Sequence, residues 1–133
     1  MSKSPKRIGI AVVEHQGFFL IGTRGPDGPL AGYAEFPGGK CLTDESPEDC
    51  AIRECLEESH LRIAVVRFLL RREYSYAHAT VDLHFFLCRP ADATSVRDEH
   101  NGFRWIAESE LANLKLPEAN APVLELLGKA AVK

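Results

Sequence analysis

The sequence predicts a single α/β domain, and three observations predict it. Apolar, partly β-branched runs open the chain, a helix with a full start signal stands in its middle, and an amphipathic helical segment closes it. The 133 residues suit one domain spanning 1–133, large enough to bury a core without staples or a structural metal. With 45% hydrophobic residues, the chain has apolar material enough to offset its conformational entropy and is expected to fold alone.

The first two apolar runs, 8–13 and 18–22, flank Glu14, His15, Gln16 and Gly17 and read as a β-hairpin. Glycines and prolines crowd the stretch 24–39, which reads as a long surface loop of the kind that often carries function. Ser46 and Pro47 then start a helix. The Ser hydroxyl caps it, Pro is pre-set for the first helical position, and Glu48 and Asp49 face the positive end of the dipole. The helix is expected to run to about Ser59, with Ala51, Ile52, Cys55 and Leu56 as its apolar side. Segments 63–76 and 80–88 read as strands, and 117–133 holds the closing helix with Leu124, Leu127 and Ala131 on one stripe.

The charge balance of 19 acids against 16 Lys and Arg leaves no broad cationic surface, so duplex nucleic acid is not an expected partner. The apolar run 8–13 is broken by Glu14 and His15, too short for a signal segment or a membrane span. Cys41, Cys50, Cys55 and Cys88 form no CxxC pair and read as reduced, mostly buried thiols. The expected location is cytoplasmic, away from any membrane. Monomer and homodimer stay equally open.

The chemistry lies in the middle helix. Glu54, Glu57 and Glu58 stand at i, i+3 and i+4, on one arc of the helix. Like charges at this spacing cost only about 0.2–0.5 kcal/mol per pair, so a solvated acidic face is energetically tolerable. Several oxygens converging from one rigid element are also what a hard octahedral cation, Mg²⁺ or Mn²⁺, requires, with waters and phosphates completing its shell. Gly38 and Gly39 allow the backbone to approach that cluster, and Lys40 adds positive charge for a phosphate.

Gly39, Glu45, Arg53, Glu54, Glu57 and Glu58 fall in the register of the Nudix box, Gx5Ex7REUxEExGU, where U is aliphatic. The text GGKCLTDESPEDCAIRECLEESHL fills every charged position of that pattern, so the chain resembles the Nudix hydrolase family. From about Arg7 to Leu127 it resembles the MutT-like branch, with EFPGGK at 35–40 and LPEANAPVL at 116–124 as further points of likeness. Two positions depart. Cys55 takes an aliphatic site, a mild change because buried Cys behaves as a small hydrophobe. His60 replaces the closing glycine, which matters if that residue has positive φ.

The resemblance implies an α/β/α sandwich with a mixed β-sheet, and it implies roles. Glu54, Glu57 and Glu58 would ligate divalent ions, helped by the Gly38 carbonyl and by Glu99, which aligns with a further acidic ligand outside the helix. Glu45 would pair with Arg53 to orient the cluster, and either Glu54 or Glu99 would activate the attacking water. Arg24, at the end of the second strand, has the fork to hold a phosphate or ribose, and equally reads as an ordinary surface Arg. His78, His84 and His100 lack a shared metal-ligand spacing and read as structural.

Asn120 offers a donor and an acceptor to a purine edge, and in the MutT-like branch the matching Asn helps read the base with hydrophobic residues such as Val81 and Leu83 nearby. Its structural alternative is helix capping. Ala79 stands where MutT carries an Arg, so the loop after Tyr76 must act differently. The substrate expected from these residues is a nucleoside triphosphate, cut to the monophosphate and pyrophosphate, with 8-oxo-dGTP the leading candidate. A pyrimidine enzyme acting on CTP or dCTP is the rival, since DES and DEH also resemble that subgroup. A non-catalytic Nudix sensor would usually have lost box carboxylates, and none is missing. An acidic cation-binding module of another fold would not place Arg53 and Glu45 in register.

Overall fold

The computed structural model describes residues 5–28, 30–77 and 79–131, with side chains of the last helix up to residue 127. His78 and the Ala131 side chain therefore lie outside the described residues. The first strand, β1 (Lys6–His15), turns back at Gln16–Gly17 into β2 (Phe18–Thr23). The expected hairpin is present, but Glu14 and His15 belong to β1, since His15 pairs with Phe18 across a two-residue turn. Two short strands follow, β3 (Ala34–Glu35) against β2 and β4 (Gly38–Lys40) against β1. The long loop is thus tied to the sheet at two points. Glycine carries no alternation of polarity, so β4 becomes visible only through its ladder with β1, Ile8 to Lys40 and Ile10 to Gly38.

Helix α1 (Pro47–Ser59) is capped as its sequence dictates: the Ser46 hydroxyl accepts the Asp49 N–H at 3.1 Å. Its buried residues are Cys50, Ala51, Cys55 and Ser59, so the inner face is rotated away from Leu56. A side chain on Gly9 would collide with the Pro47 carbonyl and the Ala51 amide, so this glycine lets α1 lie directly on β1. Strands β5 (Ile63–Ser75) and β6 (Thr80–Pro90) form a long antiparallel pair, and β6 runs parallel to β1, matching Lys6 with Val81 through Val13 with Cys88. Strands β7 (Glu99–His100) and β8 (Phe103–Ala107) complete the mixed sheet, ordered β5-β6-β1-β2-β8-β7.

Helix α2 (Ala121–Ala131) packs on the opposite face from α1. Val12, Leu83, Phe85, Val123 and Leu127 share one core, while Ala11, Val13, Ala51, Cys55 and Phe86 share the other. Alternate residues of β1 and β6 feed the two cores, as the pleat of a strand requires. This is the α/β/α sandwich. Val123 and Leu127 carry the buried stripe of α2, with Leu124 half-buried beside it. All four cysteines are free, three of them buried. No described helix is long and apolar enough to cross a membrane.

His60 closes α1 in the left-handed conformation, φ 64° and ψ 15°, its N–H bonded to the Leu56 carbonyl at 2.9 Å. A β-carbon is disfavoured there, so His60→Gly is expected to raise stability by about 1 kcal/mol. Thermal melting of the two proteins checks this, and a lower melting temperature in the variant would refute it.

Candidate active site

Strand β4 lies over the outer side of α1, and the two elements hold the charged residues between them. Arg53 is the hub. Its Nε and one terminal nitrogen donate to both Glu45 oxygens at 2.7 and 2.9 Å. The other terminal nitrogen donates to Glu54 at 2.8 Å and to the two Glu57 oxygens at 3.1 and 3.2 Å. A further bond reaches the Lys40 carbonyl at 3.2 Å, so one guanidinium fixes β4, the Glu45 loop and two carboxylates of α1. The Arg53 hydrogen bond holds the Glu45 carboxyl down at about 2.

Glu58 has no such cation among the described residues. It accepts the Gly38 N–H at 3.1 Å, yet burial, reinforced by Glu54, Glu35 and Glu57, pushes its carboxyl up to about 7. Burial raises Glu35 as well, against the opposing pull of Arg24 at 3.4 Å. A β-carbon on Gly39 would run into the Glu54 carboxylate, so only glycine allows β4 and α1 to approach this closely.

As they stand, the described acidic groups form no ready-made metal cage, because Glu54 and Glu57 are held by Arg53 and Glu58 by Gly38. The donor set nevertheless fits a hard divalent cation. Carboxylates crowd against a glycine backbone, and one of them, Glu58, is destabilised by burial and by its neighbours' charge, which a cation would reverse.

Beside this cluster opens a cleft of about 700 Å³. Arg24, Gly38, Gly39, Lys40 and Glu58 line it together with Ile8, Ile10, Val81, Leu83 and Asn120. All six residues expected to contact substrate, Arg24, Gly39, Lys40, Val81, Leu83 and Asn120, therefore face one space. Asn120 ends a short 3-10 turn, Glu118–Asn120, just before α2. It is buried, and among the described residues no group hydrogen-bonds its side-chain amide, the amide groups of α2 included.

Glu99 is not brought into the cleft. It sits half-exposed on the edge strand β7, with its carboxylate 3.6 Å from Arg104 of β8. Its hairpin does touch the site indirectly, since the Asn101 amide donates to the Glu58 carbonyl at 2.7 Å.

Sequence reasoning missed the support under Asn120. Arg72 donates to the Ala119 and Glu118 carbonyls at 3.2 and 3.5 Å, and the Tyr74 hydroxyl bonds Glu118 at 3.0 Å. The Arg72 guanidinium also lies over the Tyr74 ring. These contacts tie β5 to a turn more than forty positions away, and no local pattern announces them.

A glycine strand is braced against a helix whose carboxylates are organised by one arginine, and the family model and relatives that this chain matches make it a hydrolase acting on phosphorus-containing acid anhydrides. The chain belongs to the NUDIX domain family, whose model matches residues 9–126, and is a MutT-like member of it.

It is 29% identical over 127 residues to the 8-oxo-dGTP diphosphatase of Escherichia coli strain K12, covering 96% of this chain and 98% of that protein. It is also 28% identical over 115 residues to the CTP pyrophosphohydrolase of the same strain, covering 86% and 85%. In fold it is similar to the crystal structure of a MutT protein from Methanosarcina mazei Go1, with a TM-score of 0.80, 20% identity and coverage of 100% and 99%. Members of the family generally need a divalent metal ion.

Proposed function

We propose that this enzyme hydrolyses a nucleoside triphosphate to the monophosphate and pyrophosphate with Mg²⁺ or Mn²⁺, acting by preference on an oxidised purine such as 8-oxo-dGTP. The observation that carries this reading is the Asn120 amide, without a partner among the described residues, in a cleft lined both by apolar side chains and by glycine, lysine and carboxylate. A base and a polyphosphate need those two environments. The Asn120 amide opens to the cleft without a protein partner among the described residues, and a base edge satisfies both its donor and its acceptor.

In this reading Glu54, Glu57, Glu58 and the Gly38 carbonyl would hold the cation, and the cation would supply charge for the phosphates and lower the pKa of an attacking water. Arg53 and Glu45 orient those carboxylates. Lys40 and the Gly39 backbone face the phosphates, Arg24 a phosphate or ribose, and Val81 and Leu83 flank the base. Glu54, whose carboxylate lies against Gly39 of the cleft, takes the role of general base in this reading, while Glu99 stands on Arg104. Glu99 takes that role, or a metal, only if its hairpin closes on substrate.

The CTP and dCTP reading draws on the similarity to a CTP pyrophosphohydrolase, nearly equal to that with the diphosphatase. Pyrophosphate release from 8-oxo-dGTP, dGTP, dCTP and CTP with Mg²⁺ or Mn²⁺ separates the two. The highest kcat/KM is expected for 8-oxo-dGTP, and a clear preference for CTP or dCTP would overturn the purine assignment.

A further inference from the structure

We propose that Cys41 and Cys50 form a redox-active dithiol, a site of reversible disulfide formation within the segment that carries Glu45. The geometry follows from the pleat and the helix together. The missing side chain of Gly39 points at Glu54. Two residues along an extended chain the same face recurs, and one helical turn back from Glu54 is Cys50. Two strand residues and one helical turn advance by comparable lengths, roughly 6.5 and 5.4 Å, so Cys41 comes to lie over Cys50.

The backbone supports this placement. The Cys41 N–H donates to the Arg7 carbonyl at 2.9 Å, continuing the β1–β4 ladder, and the Cys50 thiol donates to the Gly39 carbonyl at 3.2 Å. Cys41 is a side-chain neighbour of Cys50, and its proximity adds to burial in pushing the Cys50 thiol up to about 12.

The two partners have different roles. Cys50 is fully buried, whereas Cys41 is the partly exposed cysteine of the four. A peroxide therefore meets Cys41 first. The Cys41 sulfur attacks one peroxide oxygen and the O–O bond breaks, giving a sulfenic acid and a water or hydroxide. The Cys50 sulfur then attacks the Cys41 sulfur, the S–S bond forms, the S–O bond breaks, and the hydroxyl leaves as water with the Cys50 proton. Two thiols are oxidised and one peroxide is reduced to two waters.

Cys55 and Cys88 also neighbour each other, but both are fully buried and give an oxidant no entry. The new bond would close a ring running from Cys41 to Cys50 around Glu45, and it would remove the thiol proton that Gly39 now accepts.

The test uses the whole reduced protein treated with hydrogen peroxide, followed by thiol titration and peptide mass mapping. Free thiols are expected to fall from four to two, with a linked peptide joining Cys41 to Cys50 that dithiothreitol separates. In Cys41→Ser, whose side chain is partly exposed, no disulfide should form; in Cys50→Ala, Cys41 should be oxidised without an internal partner. The proposal is overturned if Cys55 and Cys88 are linked instead, if Cys41→Ser still loses a pair of thiols, or if Cys41 in the native chain stays unlinked.

Discussion

Glu57→Gln is expected to lower kcat/KM by at least about 100-fold with Mg²⁺ while leaving the fold intact. Partners that merely orient metal ligands cost about 10- to 100-fold when removed, and a ligand itself should cost no less. The effect on the metal-free protein should be small. An acidic arc read from sequence suggests that losing one charge relieves repulsion and raises the melting temperature. The structure changes that expectation, because the Glu57 oxygens are already bound by Arg53 at 3.1 and 3.2 Å. Loss of this half-exposed i,i+4 pair costs about 0.3–0.5 kcal/mol, close to the repulsion relieved, so the melting temperature should barely move. Near-wild-type turnover with Mg²⁺ would remove Glu57 from the metal site.

Asn120→Ala is expected to cost about 1–3 kcal/mol of transition-state stabilisation for the preferred nucleotide, about 5- to 150-fold in kcat/KM, and much less for poor ones. The amide makes no hydrogen bond to a described residue, so its removal leaves the unpaired groups on the base and not in the protein. Stability should hardly change. If Asn120 instead capped α2, melting would fall by the equivalent of about 1 kcal/mol, and relative preferences among 8-oxo-dGTP, dGTP, dCTP and CTP would stay as they were. Four unchanged preference ratios would make Asn120 structural and leave the purine reading without its main support.

The helix of the site was legible because its signals are local. Ser46, Pro47, Glu48 and Asp49 set its start within one turn, and the spacing of Glu54, Glu57 and Glu58 places them on one arc wherever the helix packs. The hairpin β7–β8 has a local signal too: Asn101–Gly102 is the turn pair that two-residue hairpins prefer, and both residues have positive φ. Its position over the end of α1, through Asn101 and Glu58, has no counterpart in the local sequence.

By itself, then, the sequence determined what depends on neighbours along the chain: the caps, the periodicities and the order of the box residues. Tertiary structure decided what depends on distance in space. It set the burial that lifts Glu58, the sharing of Arg53 among Glu45, Glu54 and Glu57, and the Arg72 clamp beneath Asn120. It also left Glu99 on Arg104, outside the cleft. Burial and charge proximity are properties of packed surfaces, and the same residues in an open chain would be separately solvated and have neither.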